Sequence, residues 1–192
     1  MTRTPCPPLR WFTFRFIFGL ICAWFCLVSG LSFSFIQRLT LPVCPASVDP
    51  VEGFDPVLLT TIDGVRLNGW WRPPQNATGA VVLLVGGHAS TRNALLPEAR
   101  FLAQEGYGIL TADSRGCAGE RATLGYREAL DVLAMVEYTS RQPGVKWIAG
   151  LGFSAGGAAL LLSAPDLPEI QAIIVEGNFA SLDPEIAAQK TK

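Results

Sequence analysis

Hydrophobic positions in this chain come first as one long block and then as short bursts separated by polar residues. From Phe16 to Ile36, "FIFGLICAWFCLVSGLSFSFI" runs 21 residues without a charge. At 1.5 Å per residue a helix of that length covers roughly 30 Å, the thickness of bilayer hydrocarbon. Arg3, Arg10 and Arg15 precede the block, whereas Arg38, Asp49, Glu52 and Asp55 follow it. The positive-inside bias therefore predicts a cytoplasmic segment 1–15, a transmembrane anchor 16–36 and an exoplasmic remainder. A cleaved signal peptide is the competing reading, and Ser29 and Gly30 supply small residues for it. Signal cores are usually only about 7–15 residues long, and Trp24 and Phe25 carry this block past that need.

After the block, residues 37–56 read as a linker: Leu41 to Pro56 holds four prolines and little periodicity. "VLLTTIDGVRLNGWW" then places two β-rich runs around Asp63-Gly64, a hairpin signature. Beyond it the pattern predicts strands at 80–86, 107–113, 146–153 and 171–177. Helices are predicted at Asn93–Gln104, Tyr126–Tyr138 and Ala155–Ser163. Apolar runs without alternation, separated by helical patterns, predict an α/β domain over 57–192. It would be a mostly parallel sheet with a leading β-hairpin and helices on both faces. The predicted strand ends open into "GGHASTR", "DSRGCAGE", "GFSAGG" and "EGNFASL", small and polar segments at the edge where ligands gather in such sheets.

Composition narrows the function. Across 192 residues the net charge is −1, so no basic surface suggests nucleic acid as a partner. The five cysteines stand at 6, 22, 26, 44 and 117 without CxxC spacing, and the chain has one histidine. That set predicts neither a metal site nor a disulfide framework, and no cofactor is expected. Cys22 and Cys26 are expected to be buried structural thiols and Cys117 a small core or loop thiol. Asn76-Ala77-Thr78 is a glycosylation sequon, meaningful only in a host that glycosylates exported proteins.

The chemistry concentrates at "GLGFSAGGAALLL", Gly150 to Leu162. Gly152, Ser154 and Gly156 form G-x-S-x-G where a strand is predicted to turn into a helix. That arrangement exposes a serine at a helix N-terminus, where backbone N–H groups favour developing negative charge. The same stretch also satisfies G-x-G-x-x-A, with Glu176 about 20 residues on, which keeps a dinucleotide-binding reading open. That fingerprint normally opens its domain, whereas here three predicted strands precede it.

Taken together and in order, "TIDGVRLNGWW", "LLVGGHASTRN", "DSRGCAGE", "LGFSAGGAALL" and "IIVEGNFASL" resemble the α/β-hydrolase superfamily, from about Val57 to Leu182. The likeness is to its membrane-anchored or exported serine hydrolases, related to serine aminopeptidases and acyl esterases. It implies Ser154 as nucleophile and the backbone N–H groups of Ala155 and His88 as an oxyanion hole. The implied substrate is a small acyl or peptide compound. The chain departs from the pattern at Gly86, Cys117 and Ala118, and no histidine follows Ser154. Among the acids after Ser154 (Asp166, Glu169, Glu176, Asp183 and Glu185), only Glu176 is predicted to end a strand on the catalytic side, as a candidate acid. A ring role for His88 as base, a serine–lysine pair with Lys190 or Lys192, and Cys117 as nucleophile are weaker readings. The expectation is a serine hydrolase lacking its last strands, weakly active or inactive as given. A non-catalytic acyl-ligand or protein-binding domain is the alternative. The exposed last strand predicts self-association.

Overall fold

The structure, a computed structural model, describes residues 9–47 and 51–177. Arg3, Cys6, Asp49, Asp183, Glu185, Lys190 and Lys192 lie outside the described residues. The chain divides into two units, Met1–Leu39 and Thr40–Lys192.

The first unit is formed by helix α1, Leu9–Thr40. Its 32 residues contain the predicted 16–36 segment and extend it at both ends. The stretch Thr13–Thr40 is long and apolar enough to cross a membrane, by length and composition alone. Cys22 and Cys26 are exposed on this helix and not buried within the protein as expected. The apolar window of this helix is not covered by protein, so in a bilayer its thiols face lipid and not a protein core.

The second unit is an α/β domain. Strands β1 (Asp55–Thr60) and β2 (Arg66–Arg72) form the expected antiparallel hairpin, with Leu59 opposite Leu67. Its turn closes through Thr61 N–H to the Val65 carbonyl at 2.9 Å, and Gly64 takes φ +84° there, a value open to glycine. Strands β3 (Ala80–Val85), β4 (Gly108–Ala112), β5 (Trp147–Phe153) and β6 (Ile170–Glu176) follow. The sheet order is β1-β2-β4-β3-β5-β6, with β2 antiparallel to β4 and the last four strands parallel.

Helix α2 (Leu96–Gln104) covers one face, where Trp70, Val82, Leu84 and Ile109 pack with Ala99 and Ala103. Helices α3 (Glu128–Ser140) and α4 (Ala155–Ser163) lie over the other, with Leu67, Val81, Leu83 and Leu110 against Val132, Met135 and Leu160. This explains why β3 reads "AVVLLV" without alternation, because side chains on both of its faces are buried. Both α2 and α3 start later than the periodicity predicts. Pro97 stands in the first turn of α2. Ahead of α3, Leu124 and Gly125 have φ of +54° and +110°. The Glu128 carboxylate accepts N–H bonds from Thr123 and Gly125, both at 2.8 Å, and so fixes that start.

Two expectations for the linker change. Val51 and Phe54 are buried in the α2-side core, so the end of segment 37–56 belongs to the fold. Cys44 is disulfide-bonded to Cys117 across 73 residues, so Cys117 is not a lone thiol and the chain does carry a crosslink. Spacing rules for cysteines are blind to a pair joined only by tertiary folding.

Candidate active site

Ser154 occupies the sharp corner between β5 and α4, with φ +52° and ψ −122°. A residue with a β-carbon rarely adopts this conformation and holds it only when neighbours impose it. Those neighbours are visible. A β-carbon on Gly152 would stand 2.6 Å from the Gly157 Cα, and one on Gly156 would collide with the carbonyl oxygens of Val85 and Gly86. The two glycines flanking Ser154 are thus the positions where helix and sheet come too close for any side chain. Gly150 serves the same packing, since a β-carbon there would meet Leu160 at 2.7 Å. From the far side, Ser154 N–H donates to the Glu176 carbonyl at 2.8 Å, tying the corner to the end of β6.

The loop after β3 lies directly against the serine. A β-carbon on Gly87 would be 3.1 Å from the Ser154 Cβ. Gly87 to Ser90 form a turn closed by Ser90 N–H to the Gly87 carbonyl at 3.3 Å, with Ala89 at φ +57°. The segment after β4 pins that loop. Ser114 N–H donates to the Ser90 carbonyl at 2.9 Å. The Asp113 carboxylate accepts the Arg92 backbone N–H at 2.7 Å and its guanidinium at 2.8 Å. Arg92 in turn lies 5.0 Å over the Trp70 ring, whose Nε1 donates to Asn93 at 2.7 Å.

A second buried network braces the same edge. Arg115, fully buried, donates to Asp131 at 2.7 Å and to Asp63 at 2.9 Å. Hydrogen bonds from Arg115 and then Thr61 hold the Asp63 carboxyl at about 2. Burial pushes Asp131 the other way, up to about 6, against the pull of Arg115. Its two carboxylate partners raise the Arg115 guanidinium above its ordinary value, overcoming its own burial, so it stays charged. In the sequence Asp63 stands in a turn signature and Arg115 in a motif, and neither position shows that a single guanidinium joins the hairpin, the β4 exit and α3.

Of the residues singled out from the sequence, Ser154, Ala155 and the loop bearing His88 come together. The Ala155 N–H opens α4, where a helix offers no internal acceptor. The His88 Nδ1 is buried without a hydrogen-bond partner. Ser154 makes no side-chain cap bond to the start of α4. Glu176 reaches the corner by its backbone, while its side chain is exposed.

No protein-family model matches the chain. Among curated proteins it is similar to the uncharacterised protein YfhR of Escherichia coli, 28% identical over 148 residues. It is also similar to an uncharacterised protein of Mycobacterium tuberculosis, 33% identical over 145 residues. These matches cover 69% and 73% of this chain but 52% and 51% of the relatives, so the chain spans about half their length. Among solved structures, the Pyrococcus furiosus esterase Pf2001 matches with a TM-score of 0.65 and 27% identity, over 80% of this chain and 61% of that one. Est1E from Butyrivibrio proteoclasticus matches with a TM-score of 0.57 and 26% identity, over 69% of this chain and 54% of that one. The chain has the α/β-hydrolase fold and is related to that superfamily.

Proposed function

We propose that this chain carries the nucleophile and oxyanion loop of a serine acyl hydrolase, anchored in a membrane by α1 with the domain on the exoplasmic side. The observation that carries the reading is the strained Ser154, forced to φ +52° by glycines that admit no side chain. Structural relatives described as esterases support the same chemistry.

In this reading the Ser154 Oγ attacks an ester or amide carbonyl carbon. The carbonyl electron pair moves onto its oxygen, held by the N–H groups of Ala155 and His88. The serine proton passes to a base, which gives it to the leaving oxygen or nitrogen as the carbonyl re-forms and the ester or amide bond breaks; water, losing a proton to the same base, then attacks the acyl-serine and releases the acid. The base is the weak point of this sequence, whose single histidine is His88. We place base and acid in the half of the relatives that this chain does not span, ahead of Glu176 as acid or the His88 ring as base. As given, the chain then retains only the slow chemistry that binding and oxyanion stabilisation allow. Prolonged exposure to a fluorophosphonate tests this: one adduct is expected, on the peptide holding Ser154, and none in Ser154→Ala. An adduct at another serine, or none at saturating probe, contradicts it.

A further inference from the structure

Three ties within five residues hold the start of the domain to the segment that leaves β4. The carbonyl of Thr40, the last residue of α1, accepts the Ala122 N–H at 2.8 Å. Pro42 packs on Gly116 so closely that a β-carbon there would stand 2.9 Å from its ring. Cys44 is bonded to Cys117. The residue before this segment is Ser114, whose N–H holds the loop lying against Ser154. Residues 40–44 are therefore pinned to the edge of the sheet that bears the serine.

That edge is apolar where loop tips are ordinarily polar. Val43 is 95% exposed, Ile62 80%, Tyr126 78% and Phe153 47%. Each belongs to it through its neighbours in the chain. Val43 lies between Pro42 and Cys44, and Ile62 precedes the Asp63 that binds Arg115. Tyr126 follows Gly125, which packs on Ala155 and Ala158, and Phe153 precedes the serine. Scattered exposed apolar residues are unremarkable, but a group at one edge marks an interaction surface.

We propose that this edge rests on the surface of the membrane that holds α1, and that the acyl donor is a lipid-phase ester reaching Ser154 from the bilayer. The proposal rests on the readings of Ser154 and α1 given above. Aromatic and aliphatic side chains seated at the headgroup level suit such a surface.

Depth measurements test it on the full chain in lipid nanodiscs, in a Cys6→Ser, Cys22→Ser, Cys26→Ser background with Cys44–Cys117 oxidised. Polarity-sensitive fluorophores are placed on Ile62→Cys and Tyr126→Cys, with Arg141→Cys as control. Arg141 follows α3, roughly 20 Å along that helix from Glu128. Nitroxide lipids should quench the probes at 62 and 126 and spare the one at 141. Equal quenching at all three, or quenching confined to 141, overturns the proposal, and protein released from the lipid overturns the anchor with it. The substrate class is read separately, by labelling with a long-chain and a short-chain phosphonate in the same discs. Faster labelling by the long-chain probe is expected, and equal rates overturn the lipid-phase donor. Absence of both adducts with the quenching pattern intact locates the failure in the hydrolase reading and removes the donor with it.

Discussion

The backbone N–H of Ser154 and the carbonyl of Glu176 are joined by a 2.8 Å hydrogen bond. It commits the corner residue to β6 on one side while Gly152 and Gly156 press helix against sheet on the other. The backbone is thereby held at φ +52°, and only a residue without a β-carbon is at ease there. Ser154→Gly is therefore expected to stabilise the domain by about 1 kcal/mol or more, while Ser154→Ala does not. Urea unfolding of the two variants reads the difference directly. Equal stabilities would mean the corner carries no strain.

The Cys44–Cys117 bond closes a loop of 73 residues. Crosslinks of that span stabilise by about 2–4 kcal/mol, largely by restricting the unfolded chain. Cys117→Ser should lose that amount, and Cys44→Ser the same, with no further loss in the double variant. Thermal unfolding with and without reductant checks this; additive losses from the two single variants would show that the thiols act separately.

Acid and base limbs of stability belong to different carboxyls. Asp131 titrates at about 6 in the folded domain against an ordinary 3.8, so the folded state binds that proton more tightly. Its contribution is full below 3.8 and is lost as pH rises through about 6. Asp63, held at about 2, does the reverse: its contribution is full above 3.8 and is lost as pH falls through 2. Asp131→Asn should flatten the pH dependence of unfolding between 3.8 and 6, whatever its cost to absolute stability, and leave the acid limb in place. An unchanged slope in that window would assign it to another group.

Among the described residues nothing pairs with the outer side of β6, and Ile174 there is 65% exposed on the α2 side of the sheet. Unpaired backbone groups beside apolar side chains recruit another strand. The full chain in detergent should show concentration-dependent association by sedimentation, weakened in Ile174→Lys. Ile173 is the poorer probe, because it packs against the α4-side core. Monomers at all concentrations in both proteins would remove self-association from the account.

How much of this was legible depends on whether the cause is local. The hairpin at Asp63-Gly64, the buried strand "AVVLLV" and the serine corner each follow from spacing along a few residues. The starts of α2 and α3 do not, since the second is set by Glu128 reaching back to Thr123 and Gly125. Nor does the Cys44–Cys117 pair, whose halves meet only after four strands have formed between them. The Asp63–Arg115–Asp131 network is hidden for the same reason, because three separate segments must converge before one charge satisfies two. For His88 the sequence offered backbone or ring as the working part, and its Nδ1 lies buried without a partner.

In the function proposed above, Ser154 is a nucleophile with no histidine after it in this sequence to serve as base. Adding free imidazole while following fluorophosphonate labelling tests it most directly, because a small base can enter where a histidine ring is missing. The account predicts a slow adduct at Ser154 whose rate rises with imidazole, is unchanged in His88→Gln and vanishes in Ser154→Ala. Fast labelling that ignores imidazole and collapses in His88→Gln would contradict it, and would make His88 the base.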